Sequence, residues 1–433
     1  MPPKRKPVNL GVVGSRIRLV TMKRLLTQST SNGSPQTLWR ELLRSVPARQ
    51  QPTPFYLFSI VPIRHALAEL DQHFAGLPIR HWLSFKTQPL RPLVQWWCEQ
   101  GRDIEVVSEF EFLAARTEGF APEHILLNGP AKHHWLPRHA VAGLNVNFDS
   151  VAEARALAPL AKKLDWRCGI RFLTREEFDP EKPEFATQFG LNPEEARAAI
   201  RLLRRAGVRL ETVHFHLRTN VATPAIYERA LREVAATCRE AGFLPRHVDC
   251  GGGFPPANVR TRGDRAVNTQ FDFGEMAAVH RRTLALFPDA QELWLENGRW
   301  MSARSGVLVI SVLDSKQRGP ARVLICDSGR TMNALISNWE LHDVFTLPER
   351  HGPAALTAIH GPTCMAFDQL ARTPLPSSLR AGDRIVWMEA GAYHLPWETR
   401  FSHGLSAVLW HDGESIREVR PRESFEAWWA QWR

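Results

Sequence analysis

Polar residues stand at the carboxyl ends of the short apolar runs in the middle of this sequence. They are Lys86, Ser108, Asn128, Asn147, Arg171, His216, Gly251 to Gly253 and Glu296. In a barrel of parallel strands, the carboxyl ends of all strands meet at one face, and catalytic side chains lie there. The spacing therefore predicts one polar site assembled from many distant segments.

Lys86 follows the apolar run WLSF. A lysine amine at a barrel mouth can be partly desolvated, which lowers its pKa and lets it form an imine with an aldehyde. A lone lysine at the end of a strand is also a common surface residue. Lys86 is therefore a candidate nucleophile only together with other evidence.

Two further motifs could hold a phosphorylated ring compound. Three glycines, Gly251 to Gly253, let backbone N–H groups approach phosphate oxygens, and barrels commonly bind phosphate after the seventh strand. The carboxylate of Glu296 could keep a pyridine nitrogen protonated, so that the ring accepts electrons, and Arg299 could bind phosphate bidentately. A flexible turn and a surface ion pair are the ordinary alternatives for these motifs.

The surrounding elements have the rhythm of βα units. Eight β-rich runs occupy residues 81–86, 104–108, 124–128, 144–148, 166–172, 210–217, 247–252 and 292–298. Helical patterns separate them, most clearly at 193–207 and 223–242. Eight units in this length predict a closed (β/α)8 TIM-like barrel of the α/β class rather than an open doubly wound sheet.

Beyond Arg299 the helical patterns give way to β-rich runs separated by Pro/Gly turns. These runs are 306–315, 322–329, 383–393 and 405–413. We therefore expect a mostly antiparallel β-domain after the barrel. The predicted division is a basic leader and N-terminal segment at 1–50, a barrel at 51–304 and a β-domain at 305–433.

The net charge of +10 is concentrated in the leader. Residues 1–40 contain eight Lys or Arg and no Asp or Glu, which leaves +2 for the remainder. A transit-like peptide or a nucleic-acid-binding arm fits this composition, but a disordered tail or an upstream start codon explains it as well. We favour the latter two and expect no nucleic-acid partner.

Apolar and cysteine patterns predict a cytoplasmic protein. No run of 18 apolar residues could span a membrane, and the leader lacks the long apolar core of a secretory signal. The six cysteines form no CxxC pair, which fits free thiols in a reducing compartment. We expect no metal.

Six motifs in order resemble a known family. They are SFK (84–86), HLRTN (216–220), GGGFP (251–255), ENGR (296–299), GPTC (361–364) and GAY (391–393). Over residues 52–415 the chain resembles the fold-type III decarboxylases that use pyridoxal 5'-phosphate (PLP), the ornithine/diaminopimelate/arginine decarboxylase group. The resemblance implies an alanine racemase-like barrel, a following β-domain and decarboxylation of an amino acid.

The resemblance also implies roles for individual residues. Lys86 would carry the cofactor as a Schiff base, His216 would stack on its ring, and Glu296 would pair with its pyridinium nitrogen. The implied phosphate contacts are Gly251, Gly252, Gly253, Arg299 and Tyr393, with Thr219 as an additional candidate. Cys364 would enter the site of a partner subunit and return a proton to Cα, which implies a homodimer.

Departures from the family pattern concern the substrate. The candidate substrate residues are Arg218, Asp327, Met365 and Asp368. Arg218 replaces a small glycine, and Met365 stands where relatives carry an acidic residue. Because arginine binds carboxylates in a fork, we expect a substrate with an acidic or modified distal group. Alternatively, Arg218 replaces phosphate contacts or pairs with a neighbouring acid.

Two other functions compete with decarboxylation. An amino-acid racemase shares the barrel and the lysine, but the related alanine racemases place arginine, not a carboxylate, near the pyridine nitrogen. Glu296 therefore favours the decarboxylase. A non-catalytic PLP-binding protein would have no need of the proton donor that Cys364 implies.

Overall fold

The computed structural model describes residues 35–46, 51–178 and 187–433. The chain divides into two compact units, Met1–Pro47 and Ala48–Arg433. In the first unit, helix α1 spans Pro35–Ser45. Most of the basic leader lies outside the described residues, so the expectations for it stay predictions. Among the described helices, none is long and apolar enough to cross a membrane.

The second unit contains a closed barrel of eight parallel strands. Strand β1 (Phe55–Ser59) precedes the barrel. The barrel strands are β2 (Ile79–Ser84), β3 (Asp103–Val106), β4 (Ile125–Leu127), β5 (Asn145–Phe148), β6 (Arg167–Phe172), β7 (Leu210–Phe215), β8 (His247–Asp249) and β10 (Glu292–Asn297), with β9 (Val259–Thr261) between the last two. Strand β10 pairs with both β2 and β8, which closes the ring. The predicted barrel is confirmed, and each predicted run overlaps one of its strands.

Helices alternate with these strands. They are α2 (Val61–His73), α3 (Arg91–Glu99), α4 (Glu109–Thr117), α5 (Val151–Lys163), α6 (Pro193–Ala206), α7 (Pro224–Glu240), α8 (Phe273–Leu284) and α9 (Arg299–Ala303). Helix α6 begins with a capping box between Asn192 and Glu195 and ends at Gly207, whose φ is +69°. The periodic patterns at 193–207 and 223–242 thus correspond to α6 and α7.

A mostly antiparallel β-domain follows the barrel. Its elements are β11 (Gly306–Arg318), β12 (Ala321–Cys326), β13 (Glu340–His342), β14 (Val344–Leu347), β15 (Ala354–His360), β16 (Gln369–Pro376), β17 (Arg384–Trp387), β18 (Ala407–His411), β19 (Ile416–Arg420) and α10 (Phe425–Ala430). Strand β1 lies in the sheet of this domain, antiparallel to β11 and parallel to β18. The segment before the barrel, which the predicted boundary at residue 51 assigns to the barrel, therefore contributes a strand to the β-domain.

One ion pair is completely buried beside the barrel. Lys132, the fifth residue after β4, has its Nζ 2.6 Å from Oε1 of Glu153 on α5, and neither side chain is exposed. The same ammonium donates a hydrogen bond to the carbonyl of Gly129 at 2.6 Å. Such a pair has lost its hydration, so each charge depends on the other.

We predict that Lys132→Met lowers the free energy of unfolding by about 3–5 kcal/mol, because it leaves the Glu153 carboxylate buried without a cation. Denaturant unfolding followed by circular dichroism measures the change. The matched control is Arg197→Met, which breaks a partly exposed pair with Glu240 and should cost less than about 1 kcal/mol. Equal losses in the two variants would contradict the prediction.

Candidate active site

The carboxyl ends of the barrel strands bring the predicted residues to one mouth. Lys86 lies in a short 3-10 turn, Phe85–Thr87, directly after β2. Glu296 lies on β10, the neighbour of β2, where Asn297 pairs with Leu83. Two residues that are far apart in sequence are therefore carried on adjacent strands.

Lys86 pairs with a buried carboxylate. Its Nζ lies 3.2 Å and 3.3 Å from the two carboxylate oxygens of Glu105 on β3, and Ser84 Oγ donates to Glu105 Oε2 at 2.6 Å. Burial alone would lower the pKa of Lys86, but the negative charges of Glu105 and Glu296 outweigh it and raise that pKa. The expected lowering of the Lys86 pKa is therefore wrong, because Glu105 stabilises the ammonium.

Glu296 lies at the centre of a buried polar cluster. Asn128 Nδ2 donates to its Oε1 at 2.5 Å, His214 Nε2 lies 3.2 Å from Oε1, and His216 Nδ1 lies 3.3 Å from Oε2. Burial would raise the pKa of Glu296, but His214 and His216 hold it well below its ordinary value. Burial also lowers the pKa of His214, and the charge of Glu296 opposes that effect. Glu296 is therefore ionised, and because it is buried, water screens its charge only weakly.

The three glycines lie against the backbones of neighbouring strands. A Cβ added to Gly251, whose φ is +64°, would lie 2.7 Å from the carbonyl oxygen of Phe215. One added to Gly252 would lie 2.4 Å from that of Glu296. The Gly252 N–H donates to His216 Nδ1 at 3.2 Å, and the Tyr227 hydroxyl donates to the Gly252 carbonyl at 2.6 Å. Only glycine fits this loop, and the loop is fixed next to His216 and Glu296.

The β-domain contributes Tyr393 to the same mouth. Its backbone N–H donates to the carbonyl of Thr87 at 2.8 Å, which joins the GAY motif to the turn of Lys86. Arg299, the first residue of α9, stacks on the Tyr393 ring at 5.0 Å and forms an ion pair with Glu340 on β13. The side chains of Arg299 and Tyr393 therefore lie together beside the barrel mouth.

The candidate substrate residue Arg218 is held by the protein itself. Its Nη1 donates to the backbone carbonyls of Glu176 at 3.0 Å and Phe178 at 2.7 Å. Thr219 follows it in an exposed position. These bonds fasten the segment that follows β6, and none of the ion pairs found within the described residues involves the Arg218 guanidinium.

The other candidate substrate residues lie in the β-domain. Asp327 accepts hydrogen bonds from Thr53 Oγ1 at 2.5 Å and from the N–H of Ser311 at 2.8 Å. Asp368 is buried and accepts from the N–H of Thr331 at 3.1 Å and from Thr363 Oγ1 at 2.5 Å. Both carboxylates are thus engaged in stabilising loops.

Cys364 is exposed, and Met365 next to it is partly buried. Within the three described ranges, no hydrogen bond or ion pair joins Cys364 to Lys86 or Glu296 of its own chain. Asp368 shapes the Cys364 loop, because its carboxylate also accepts the N–H of Thr363 at 3.3 Å.

Sequence reasoning missed three residues of the site: Glu105, His214 and Glu340. Glu105 is the one acidic residue in the apolar run IEVVS, and that was an available signal. His214 is on β7 and His216 directly follows that strand; the spacing of two residues turns both side chains to the same side, toward Glu296. Glu340 lies 41 residues from Arg299, and no local pattern links them. Ser108, in contrast, caps α4 by accepting the N–H of Glu111 at 3.3 Å.

The donor set fits the cofactor that the resemblance implies. The mouth offers a lysine amine, a glycine loop without room for side chains, an arginine beside a tyrosine, and a buried anionic carboxylate. Ligand atoms of His214, His216 and Glu296 also lie within 4.8 Å of one another, a spacing that a divalent cation could use. Two of these three residues, His216 and Glu296, are those that the resemblance assigns to the cofactor ring.

Comparisons with known proteins agree with this site. The profile of the family described as "Pyridoxal-dependent decarboxylase, pyridoxal binding domain" matches residues 62–303, more than half of the chain. A diaminopimelate decarboxylase from Actinosynnema pretiosum is 30% identical over 351 residues, which cover 76% of this chain and 76% of that enzyme. A lysine/ornithine decarboxylase from Selenomonas ruminantium is 26% identical over 364 residues, which cover 82% of this chain and 88% of the other.

Solved structures show the same fold. Diaminopimelate decarboxylase from Helicobacter pylori, complexed with L-lysine, superposes with a TM-score of 0.76 at 22% identity and covers 91% of this chain and 98% of that one. The family profile, the relatives and the fold agree with one another. The chain belongs to the fold-type III PLP-dependent decarboxylases and is a PLP-dependent carboxy-lyase.

Proposed function

We propose that this enzyme converts an α-amino acid into an amine and carbon dioxide, with Lys86 and Glu296 as its central residues. The observation that carries the proposal is that the Lys86–Glu105 pair and the buried Glu296 meet at one barrel mouth, where Asn128 donates to both carboxylates. When bound, PLP supplies an aldehyde for the amine and an electron sink for the Cα bond that breaks. The protein supplies the charges that orient and tune this chemistry.

Glu296 has the role of holding a proton at the pyridine nitrogen. A carboxylate that remains ionised inside the protein attracts a proton to a neighbouring ring nitrogen, which strengthens the ring as an electron acceptor. His216, half-buried and fixed through Nδ1, offers a flat face for the ring. Glu105 holds Lys86 in place until its amine reacts.

The glycine loop, Arg299 and Tyr393 have the role of binding the phosphate, with Thr219 as a further candidate. Arg299 carries a positive charge at the mouth, and its ion pair with Glu340 fixes the direction of the guanidinium. Phosphate competes well for such a group because it accepts two parallel N–H bonds.

Cys364 has the proposed role of returning a proton to Cα in the site of a second subunit. Its thiol is exposed, and its loop is shaped by the buried Asp368. A thiol delivered between chains requires a homodimer in which each site combines Lys86 of one subunit with Cys364 of the other.

The alternatives from the sequence remain a racemase and a non-catalytic PLP-binding protein. A racemase must keep the carboxylate of its substrate, whereas a strong electron sink of the kind that Glu296 provides assists its loss. The complete set of Lys86, Glu296 and Cys364 favours the decarboxylase over a simple binder.

The site residues indicate the type of reaction more specifically than they indicate the distal group of the substrate. The argument for an acidic group relied on Arg218, and that guanidinium is bound to two backbone carbonyls. The relatives act on diaminopimelate and on lysine or ornithine. We therefore propose that the substrate is an amino acid of this kind, and that it is identified by comparing the rates with diaminopimelate, lysine, ornithine, glutamate and carboxylated diamines.

We predict that the PLP-loaded enzyme releases carbon dioxide and the matching amine from at least one member of this panel. Lys86→Ala should reduce the rate by roughly 10³-fold, within the range for loss of a group that acts at the reacting centre. Lys316→Ala, at an exposed site on β11, is the control and should match the parent enzyme. Racemised substrate without carbon dioxide would support the racemase instead.

We predict that Gly252→Ala weakens PLP binding by about tenfold or more, because the new Cβ would displace the loop from Glu296. Titration of the apo-protein with PLP, followed by absorbance, gives the dissociation constant. Gly263→Ala is the control, because its Cβ would make only an ordinary 3.7 Å contact with Thr261. Equal affinities in both variants would contradict the role of the loop.

We predict that Cys364→Ala binds PLP with unchanged affinity but loses about 10²-fold or more in turnover, the scale of a lost general acid. Mixing inactive Lys86→Ala and Cys364→Ala subunits should then restore part of the activity, since one composite site is intact. Failure to recover activity after demonstrated subunit exchange would refute a shared site.

A further inference from the structure

Asn128 contacts two carboxylates of the site at once. It is the first residue after β4, and its side chain is buried. Its Nδ2 donates to Glu296 Oε1 at 2.5 Å and to Glu105 Oε1 at 3.3 Å. The Asn128 amide therefore links Glu105, which pairs with Lys86, to Glu296.

Asn147 fixes the orientation of that amide. From β5, its Nδ2 donates to Asn128 Oδ1 at 3.0 Å and to Asp249 Oδ2 at 3.1 Å. Because Asn128 Oδ1 accepts this bond, its Nδ2 must face the two acids. Gly169 leaves the space for Asn147, since a Cβ there would lie 2.0 Å from Asn147 Oδ1.

The two amides thus connect three buried carboxylates. The third, Asp249, accepts the N–H of Gly251 at 3.0 Å, so the network reaches the glycine loop. Buried carboxylates without hydrogen-bond donors are costly, and an asparagine amide supplies two N–H donors without adding charge. An aspartate of the same shape would instead add repulsion.

We propose that Asn128 is a positioning residue, seated by Asn147, that orients Glu296 toward the cofactor ring and links it to Glu105. This role rests on the functions proposed for Lys86 and Glu296. Asn128 acts through these carboxylates and does not itself react. Neither asparagine is given a role by the motif resemblance.

The test compares Asn128→Asp, which keeps the shape, with Asn128→Leu, which removes the donor without adding charge. Apo-protein is titrated with PLP, and the dissociation constant, the position of the cofactor absorbance band and the thermal midpoint are recorded. The matched control is Asn145→Ala. Asn145 is buried on the same strand and face as Asn147, but it donates to the carbonyls of Glu123 at 2.9 Å and Ile125 at 3.1 Å and, within the described part of the chain, to no carboxylate.

We expect Asn128→Asp to weaken PLP binding at least tenfold and to shift the absorbance band, with a smaller loss in Asn128→Leu. Asn145→Ala should lower the thermal midpoint without changing either cofactor readout. If Asn128→Asp does not fold, Asn147→Ala replaces it and should weaken PLP binding more than Asn145→Ala does. Parent-like affinity and absorbance in the folded Asn128 and Asn147 variants overturn the inference.

A parallel assay of the parent enzyme separates the two proposals. If the parent releases carbon dioxide while the Asn128 variants bind PLP normally, the positioning role fails and the proposed function stands. If the variants change the cofactor readouts while the parent decarboxylates no amino acid of the panel, the proposed function fails and the positioning role stands.

Discussion

The interaction between Lys86 and Glu105 is the constraint on which the rest of the site depends. Glu105 is 1% exposed, and a carboxylate in that position must have a cation or several donors. Lys86 supplies the cation, while Ser84 donates an O–H and Asn128 an N–H to the carboxylate. If Lys86 holds the cofactor as proposed, those two donors would still satisfy Glu105. The lysine can therefore react without leaving a bare charge in the protein.

The barrel alone does not complete this site. Tyr393 reaches the turn of Lys86 through a backbone hydrogen bond to Thr87, and Glu340 on β13 pairs with Arg299. Strand β1, which precedes the barrel in sequence, lies between β11 and β18 in the β-domain sheet. The chain thus enters the β-domain, forms the barrel and returns, so that residues of both parts meet at one site.

Periodicity and glycine positions allowed much of the fold to be predicted from sequence. The eight strands and helices α6 and α7 follow from apolar spacing and from caps, which are local signals. Glu105 and His214 were missed because their importance comes from partners on other strands that are distant in sequence. Arg218 illustrates the same limit, because no local pattern links it to the carbonyls of Glu176 and Phe178 that it bonds; its contact with a substrate stays a prediction.

The central claim is that Lys86 carries the cofactor, and it is tested most directly by finding which lysine is covalently modified. The PLP-loaded enzyme is reduced with borohydride and digested, and the modified peptide is identified by mass spectrometry. Lys132 is an informative alternative, because it also follows a barrel strand but is buried against Glu153. We predict that the modification lies on Lys86. Modification of Lys132 or another lysine instead, or no covalent attachment, would contradict the account.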